Sequence, residues 1–178
     1  MADYKYPKPV KLIIPLLGKD QYHLDKITEI LIQEFGPIET IMKSIRFEDT
    51  NYYEDEVGST PIRTILGFQS LIQREDLVRI KRKTNEIERN TFENERYVNI
   101  DPGYLTMGQF FLATTKDQRQ RVYVGDGIFI DPTLYYQNGS FQWYDWTYYD
   151  YRSPAYHEFL QTVRVNYHAQ LKTLSRSS

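Results

Sequence analysis

The stretch Val10-Lys-Leu-Ile-Ile-Pro-Leu-Leu-Gly18 is almost continuously apolar and stops at a glycine. A run this short and this apolar reads as a buried strand, since a strand with one wet face would alternate. Pro15 has no amide donor, so the strand is expected to end near it or to lie at an edge there. The period then changes. Asp20 can cap a helix, Leu24, Ile27, Leu31 and Phe35 form one stripe, and Gly36-Pro37 closes it. A buried strand followed at once by an amphipathic helix opens a mixed domain.

Working outward, Ile41, Ile45 and Phe47 fall on one face of a second strand, followed by an acidic loop from Glu48 to Gly58. A third strand spans Ile62 to Leu71. A second helix begins near Glu75, with Leu77, Ile80, Thr84 and Ile87 at helical spacing. Arg96 to Ile100 is a short strand stopped by Asp101-Pro102-Gly103, a sequence suited to a type II turn with Gly103 at positive φ. Strands are expected at Phe110–Thr114 and Arg121–Val124. Asn138-Gly139 marks a type I′ hairpin, because both central residues of that turn need φ > 0. Its register pairs Tyr136 with Phe141, Leu134 with Trp143, Tyr135 with Gln142, and Thr133 with Tyr144. Ser153-Pro154 starts a closing helix by a serine cap and a proline at the first helical position. Tyr156, Leu160, Val163, Tyr167 and Leu171 form its buried stripe. The expected class is α+β, one domain over residues 1–178. It has a ferredoxin-like βαββαβ core, a β-rich C-terminal extension and a closing helix. Residues 1–8 and 175–178 are expected to be flexible.

Composition removes several function classes. The chain has 178 residues and no cysteine, which excludes disulfides, thiolate zinc sites, iron–sulfur clusters and cysteine nucleophiles. No apolar run reaches the ~18 residues of a membrane helix, and the N-terminus lacks the apolar core of a secretory signal, so a cytoplasmic protein is expected. A net charge of -2 gives no global attraction for nucleic acid or anionic membrane. The nine glycines do not form a P-loop or a G-x-G-x-x-G turn. Thr115-Lys116-Asp117 lacks one residue of a guanine-specifying motif, so an ordinary GTPase is not expected, while nucleotide binding by another route stays open. His157 and His168 are eleven residues apart on one helix, about 16 Å, too far to share an ion. The acidic cluster Glu48, Asp49, Glu54, Asp55 and Glu56 lacks the alternating ligands of a calcium loop. No metal site is expected, and no cofactor is specified.

Several segments resemble one family. They are Asn99-Ile-Asp-Pro-Gly-Tyr-Leu105, Lys81-x-x-Thr84-Asn85-x-x-Glu88, Ala113-Thr-Thr-Lys-Asp117 and the stretch Trp146-Thr-Tyr-x-Asp-Tyr-Arg-Ser153. With Pro9-Val-Lys-Leu12 and Thr50-x-Tyr-Tyr53, they are similar to the signature of the bacterial Domain of Unknown Function 4416 family over nearly the whole chain. The resemblance implies no known chemistry. Some members are labelled GTP-binding proteins, a label the absent P-loop does not support. Asp131 stands where the family pattern has a glutamate, and Gln120 where a histidine often precedes the arginine, so no role transfers to those two positions.

The candidate site combines spacing with that resemblance. Lys81, Asn85 and Glu88 recur at i, i+4 and i+7, placing a cation, an amide and a carboxylate on one helix face. The same spacing would serve an exposed face held by ion pairs. Asn99 and Asp101 flank Ile100 and point one way from a strand end. With Tyr104 they can build a pocket facing Lys81, or simply satisfy a turn. Lys116 and Arg121 could complete an anion site. Tyr148, Asp150 and Arg152 form a second candidate cluster. Asp101 is the one carboxylate nominated as a catalytic acid or base. The first expectation is a pocket for a small anionic or nucleotide-like ligand. The second is an RNA-binding module, drawn from the basic second helix and from nine aromatics within the seventeen residues 135–151. The third is a homo-oligomeric interaction or scaffold protein, drawn from the tyrosine and tryptophan excess.

Overall fold

A computed structural model describes residues 3, 5–46, 61–92 and 95–177. Its strands are β1 (Val10–Gly18), β2 (Ile38–Arg46), β3 (Ile62–Ile72), β4 (Val98–Ile100), β5 (Gly103–Leu105), β6 (Gln109–Thr114), β7 (Val122–Gly125), β8 (Ile128–Gln137) and β9 (Ser140–Trp143). The helices are α1 (Gln21–Phe35), α2 (Asp76–Asn90) and α3 (Pro154–Ser177), the last preceded by a 3-10 turn at Tyr149–Arg152. The strands form one antiparallel sheet in the order β2-β3-β1-β5-β6-β8-β7, with β4 on β1 and β9 on β8. The class is α+β.

β1 is buried at every position because both faces of the sheet are covered. Leu12, Ile14 and Leu16 face α1 and α2, packing with Leu24, Ile27, Leu31, Ile80 and Ile87. Ile13 faces the other way, into a cluster with Ile65, Leu105, Phe110, Leu134, Tyr156, Leu160 and Val163, beneath α3. Asp20 caps α1, accepting from His23 N at 3.0 Å, an arrangement worth about 1 kcal/mol. The α3 stripe Tyr156, Leu160, Val163, Tyr167 and Leu171 is buried as its spacing requires.

The Asn138-Gly139 turn has both residues at positive φ, 53° and 85°. It sets the expected pairs Leu134–Trp143, Tyr135–Gln142 and Tyr136–Phe141. The fourth expected pair does not form. β9 stops at Trp143, and Thr147 Oγ1 donates to the Thr133 carbonyl at 2.6 Å instead.

Other local expectations are corrected. Pro15 lies inside a central strand, opposite Ile65. Its carbonyl accepts from Asp101 N at 3.0 Å, on the flank where the partner of β1 changes from β4 to β5. The nitrogen of a strand residue points to the same side as its carbonyl, so the missing donor falls at that change. Gly103 is not at positive φ and forms no type II turn. It is required by close approach, since a Cβ there would sit 2.1 Å from the Phe111 carbonyl oxygen. Ile41 is 42% exposed on the irregular edge strand β2, where Met42 packs inward instead. The Ile45 side chain, Phe47 and the acidic loop lie outside the described residues. Ser153 Oγ is buried without a hydrogen-bond partner among the described residues and does not cap α3. That helix runs through Ser177 with no break at Ser175. Residues 3 and 5–8 lie outside any element and are exposed.

Candidate functional site

The change of partner beside Pro15 also opens the sheet. Ala113 N donates to the Pro102 carbonyl at 2.9 Å, closing β6 onto the β4–β5 corner. Beyond that point β4 follows β1 while β6 follows β8. The space between them is a cleft of about 400 Å³, with α2 on one side and the 3-10 turn before α3 on the other.

α2 presents Lys81, Asn85 and Glu88 to the cleft. Lys81 is buried, and its Nζ donates to the Ile100 carbonyl at 2.9 Å and to Asp101 Oδ1 at 3.4 Å. The second oxygen of Asp101 accepts from Asn99 Nδ2. Asp101 itself is a third exposed. Glu88 Oε1 accepts from Ile100 N at 2.6 Å, and Oε2 lies 3.4 Å from Arg96 Nε. Arg96 also donates to Asn99 Oδ1. Burial raises the Glu88 carboxyl above its ordinary range, and the Lys81 ammonium, the Ile100 amide and Arg96 only partly offset that rise.

The opposite wall comes from the C-terminal strands and the 3-10 turn. Arg121 Nε donates to the buried Asp131 at 2.8 Å, and its Nη1 to the Lys116 carbonyl at 2.9 Å. Arg63, on β3, reaches the cleft from the α3 face of the sheet. It is 3% exposed, pairs with Asp150 at 2.5 Å and lies over the Tyr151 ring. Burial pushes the phenol groups of Tyr151 and Tyr156 well above their ordinary range, so both are neutral hydroxyls here.

Eight of the eleven candidate residues therefore line one cleft: Lys81, Asn85, Glu88, Asn99, Asp101, Lys116, Arg121 and Tyr148. Three do not. Tyr104 packs with Phe111 and Leu77 in a separate apolar cluster. Arg152 donates to the backbone carbonyls of Thr147 and Asp145, which ties the 3-10 turn to its own loop. Asp150 stands behind the wall as the partner of Arg63. Arg63, Arg96, Asp131 and Tyr151 were not anticipated. A charged residue inside the expected strand Ile62–Leu71 was the available signal for Arg63.

The aromatic segment divides. Phe141 and Tyr151 are core, whereas Trp143, Trp146, Tyr148 and Tyr149 are exposed. Tyr144 and Trp146 stack on each other, with centroids 4.7 Å apart. α3 covers the sheet face carrying Ile13, Ile65 and Leu105, the face on which a sheet-type RNA module would stack bases. Among the described residues no helix is long and apolar enough to cross a membrane. Among the described residues no group of three or more His, Cys, Asp or Glu could hold a metal ion.

Residues 8–167 match the family model described as a domain of unknown function, DUF4416. The chain belongs to the DUF4416 family. Every residue lining the cleft falls within the matched span of this DUF4416 domain. No curated protein and no solved structure matches the chain.

Proposed function

We propose that this DUF4416 domain binds a small anionic or nucleotide-like ligand in the cleft between β4 and β6. One observation carries the reading. Side chains from α2, β3, β4, the segment 113–121, β8 and the 3-10 region converge on one concave, polar space of ligand size. Three of them, the Asn85 amide, the Lys116 ammonium and the Tyr148 hydroxyl, have no hydrogen-bond or ion-pair partner among the described residues. No other described residue engages them, and a bound molecule can use them. Asp101, fixed by Lys81 and Asn99 and a third exposed, is the carboxylate in position to exchange a proton with a ligand.

A thermal-shift panel of nucleotides and small anionic metabolites tests the reading. A ligand at a hundred times its Kd adds about 2.7 kcal/mol to native stability. The response should vanish in Asn85→Ala and Lys116→Ala while the unliganded Tm stays unchanged. If both variants respond to every ligand as the parent does, the cleft is not the binding site. Asp101→Asn separates roles: retained binding with lost turnover would make it the acid or base.

A further inference from the structure

The cleft is rich in cations, yet they are almost all neutralised where they stand. Arg63 pairs with Asp150 at 2.5 Å, Lys81 with Asp101 at 3.4 Å, Arg96 with Glu88 at 3.4 Å and Arg121 with Asp131 at 2.8 Å. Lys116 is the one cleft-lining cation without a carboxylate partner among the described residues. The uncompensated charge offered to a ligand is therefore about that of one ammonium. A ligand with several negative charges would have to break these internal pairs or bury charge unmatched, and both are costly.

A second observation marks the inner end. Arg63 is 3% exposed, and its Nε and Nη1 have no hydrogen-bond partner among the described residues. Buried donors of this kind are normally satisfied. With Asp150 already balancing its charge, Arg63 calls for a neutral oxygen acceptor, a carbonyl or hydroxyl, rather than a second anion.

We propose that the cleft takes a ligand with a single negative charge, met by Lys116, and a neutral oxygen directed at Arg63. This rests on the binding role assigned to the cleft above and narrows it. Hydroxy- or oxo-carboxylic acids and phosphodiesters such as a cyclic nucleotide share this chemistry. Nucleoside di- and triphosphates do not.

Isothermal titration of the full chain with two charge ladders tests it. One ladder is adenosine, cyclic AMP, AMP and ATP, and the other is lactate and citrate. Within the ladder that binds, the singly charged member should bind at least about tenfold more tightly than the more highly charged ones. The ladder showing this preference separates the phosphodiester from the carboxylic acid source. Lys116→Gln should weaken the singly charged member about tenfold and abolish the preference. Asp131→Asn, which leaves Arg121 uncompensated, should shift the preference toward the doubly charged ligand. Tighter binding of AMP, ATP or citrate, still sensitive to Lys116→Gln, would overturn the charge count and leave the binding role standing. Absence of binding by every member of both ladders would overturn both.

Discussion

Lys11 and Lys81 are buried lysines on opposite faces of the same sheet. Lys11 is fully buried under α3, and its ammonium meets three acceptors: Glu39 Oε2 at 2.8 Å, Gln170 Oε1 at 2.8 Å and the Gln69 carbonyl at 3.2 Å. An ammonium has three donors, so the chain satisfies this one completely. Lys81 meets two, the Ile100 carbonyl and a partly exposed Asp101. Lys11 ties a helix to the sheet. Lys81 is left with two acceptors beside a cleft. Burial alone does not separate these two lysines, whereas the tally of their donors does.

The most severe test removes a buried cation at the inner end of the cleft. Arg63→Ala leaves Asp150 buried without its cation, and the expected loss is about 3–5 kcal/mol in urea unfolding. A loss below about 1 kcal/mol would mean that Asp150 finds water or protonates easily, and the inner end of the cleft is then wet. Lys11→Met comes next, at about 2 kcal/mol, because Glu39 is a quarter exposed and can turn outward. Lys81→Met should cost about 1 kcal/mol, since Asp101 already has access to solvent and keeps Asn99 as a donor. If Lys81→Met costs more than Lys11→Met, the distinction between the two faces fails.

A smaller effect concerns pH. Burial holds the Glu88 carboxyl above its ordinary value of 4.5. The folded chain thus binds this proton more tightly than the unfolded chain does. The contribution is fully present below the unfolded value and is lost as pH rises through the elevated folded one. Glu88→Gln removes the titration. The stability of the parent relative to this variant should therefore decline as pH rises from about 4, then level off. Urea midpoints measured across that range check it, and a difference that grows with pH would contradict the sign.

How much of this was readable in the sequence follows the range of the forces involved. β1, the Asn138-Gly139 hairpin and the α3 stripe were legible because each is fixed by local period or turn chemistry. β5 is three residues long and carries no period, so it was hidden inside an expected turn. The role of Pro15 was misjudged because a missing donor matters only relative to the neighbouring strands, and β1 changes neighbour at that point. The α2 wall of the cleft was legible from Lys81, Asn85 and Glu88 at helical spacing. The opposite wall was legible only at Lys116, Arg121 and Tyr148; Arg63 and Tyr151 are eighty-eight residues apart in sequence and meet only through packing under α3. Arg152 looked like a site residue by charge, yet its guanidinium is consumed by carbonyls five and seven residues earlier in the chain.

The smallest expected stability change is the most informative for function. Asn85 faces the cleft beside Lys81 and Glu88, but its amide has no partner among the described residues, unlike either neighbour. A side chain that makes no bond in the fold should be removable at little cost, so Asn85→Ala should change unfolding free energy by less than about 0.5 kcal/mol. Alanine is also the better helix former, which pushes the small change toward stabilisation. The same substitution should remove most of the ligand-induced rise in Tm. A large loss of stability would show that Asn85 belongs with Lys11, tied into the fold, and would take the α2 face out of the binding argument. A neutral effect on stability combined with an undiminished ligand response would keep the face open but move the ligand away from α2, toward Lys116 and Tyr148.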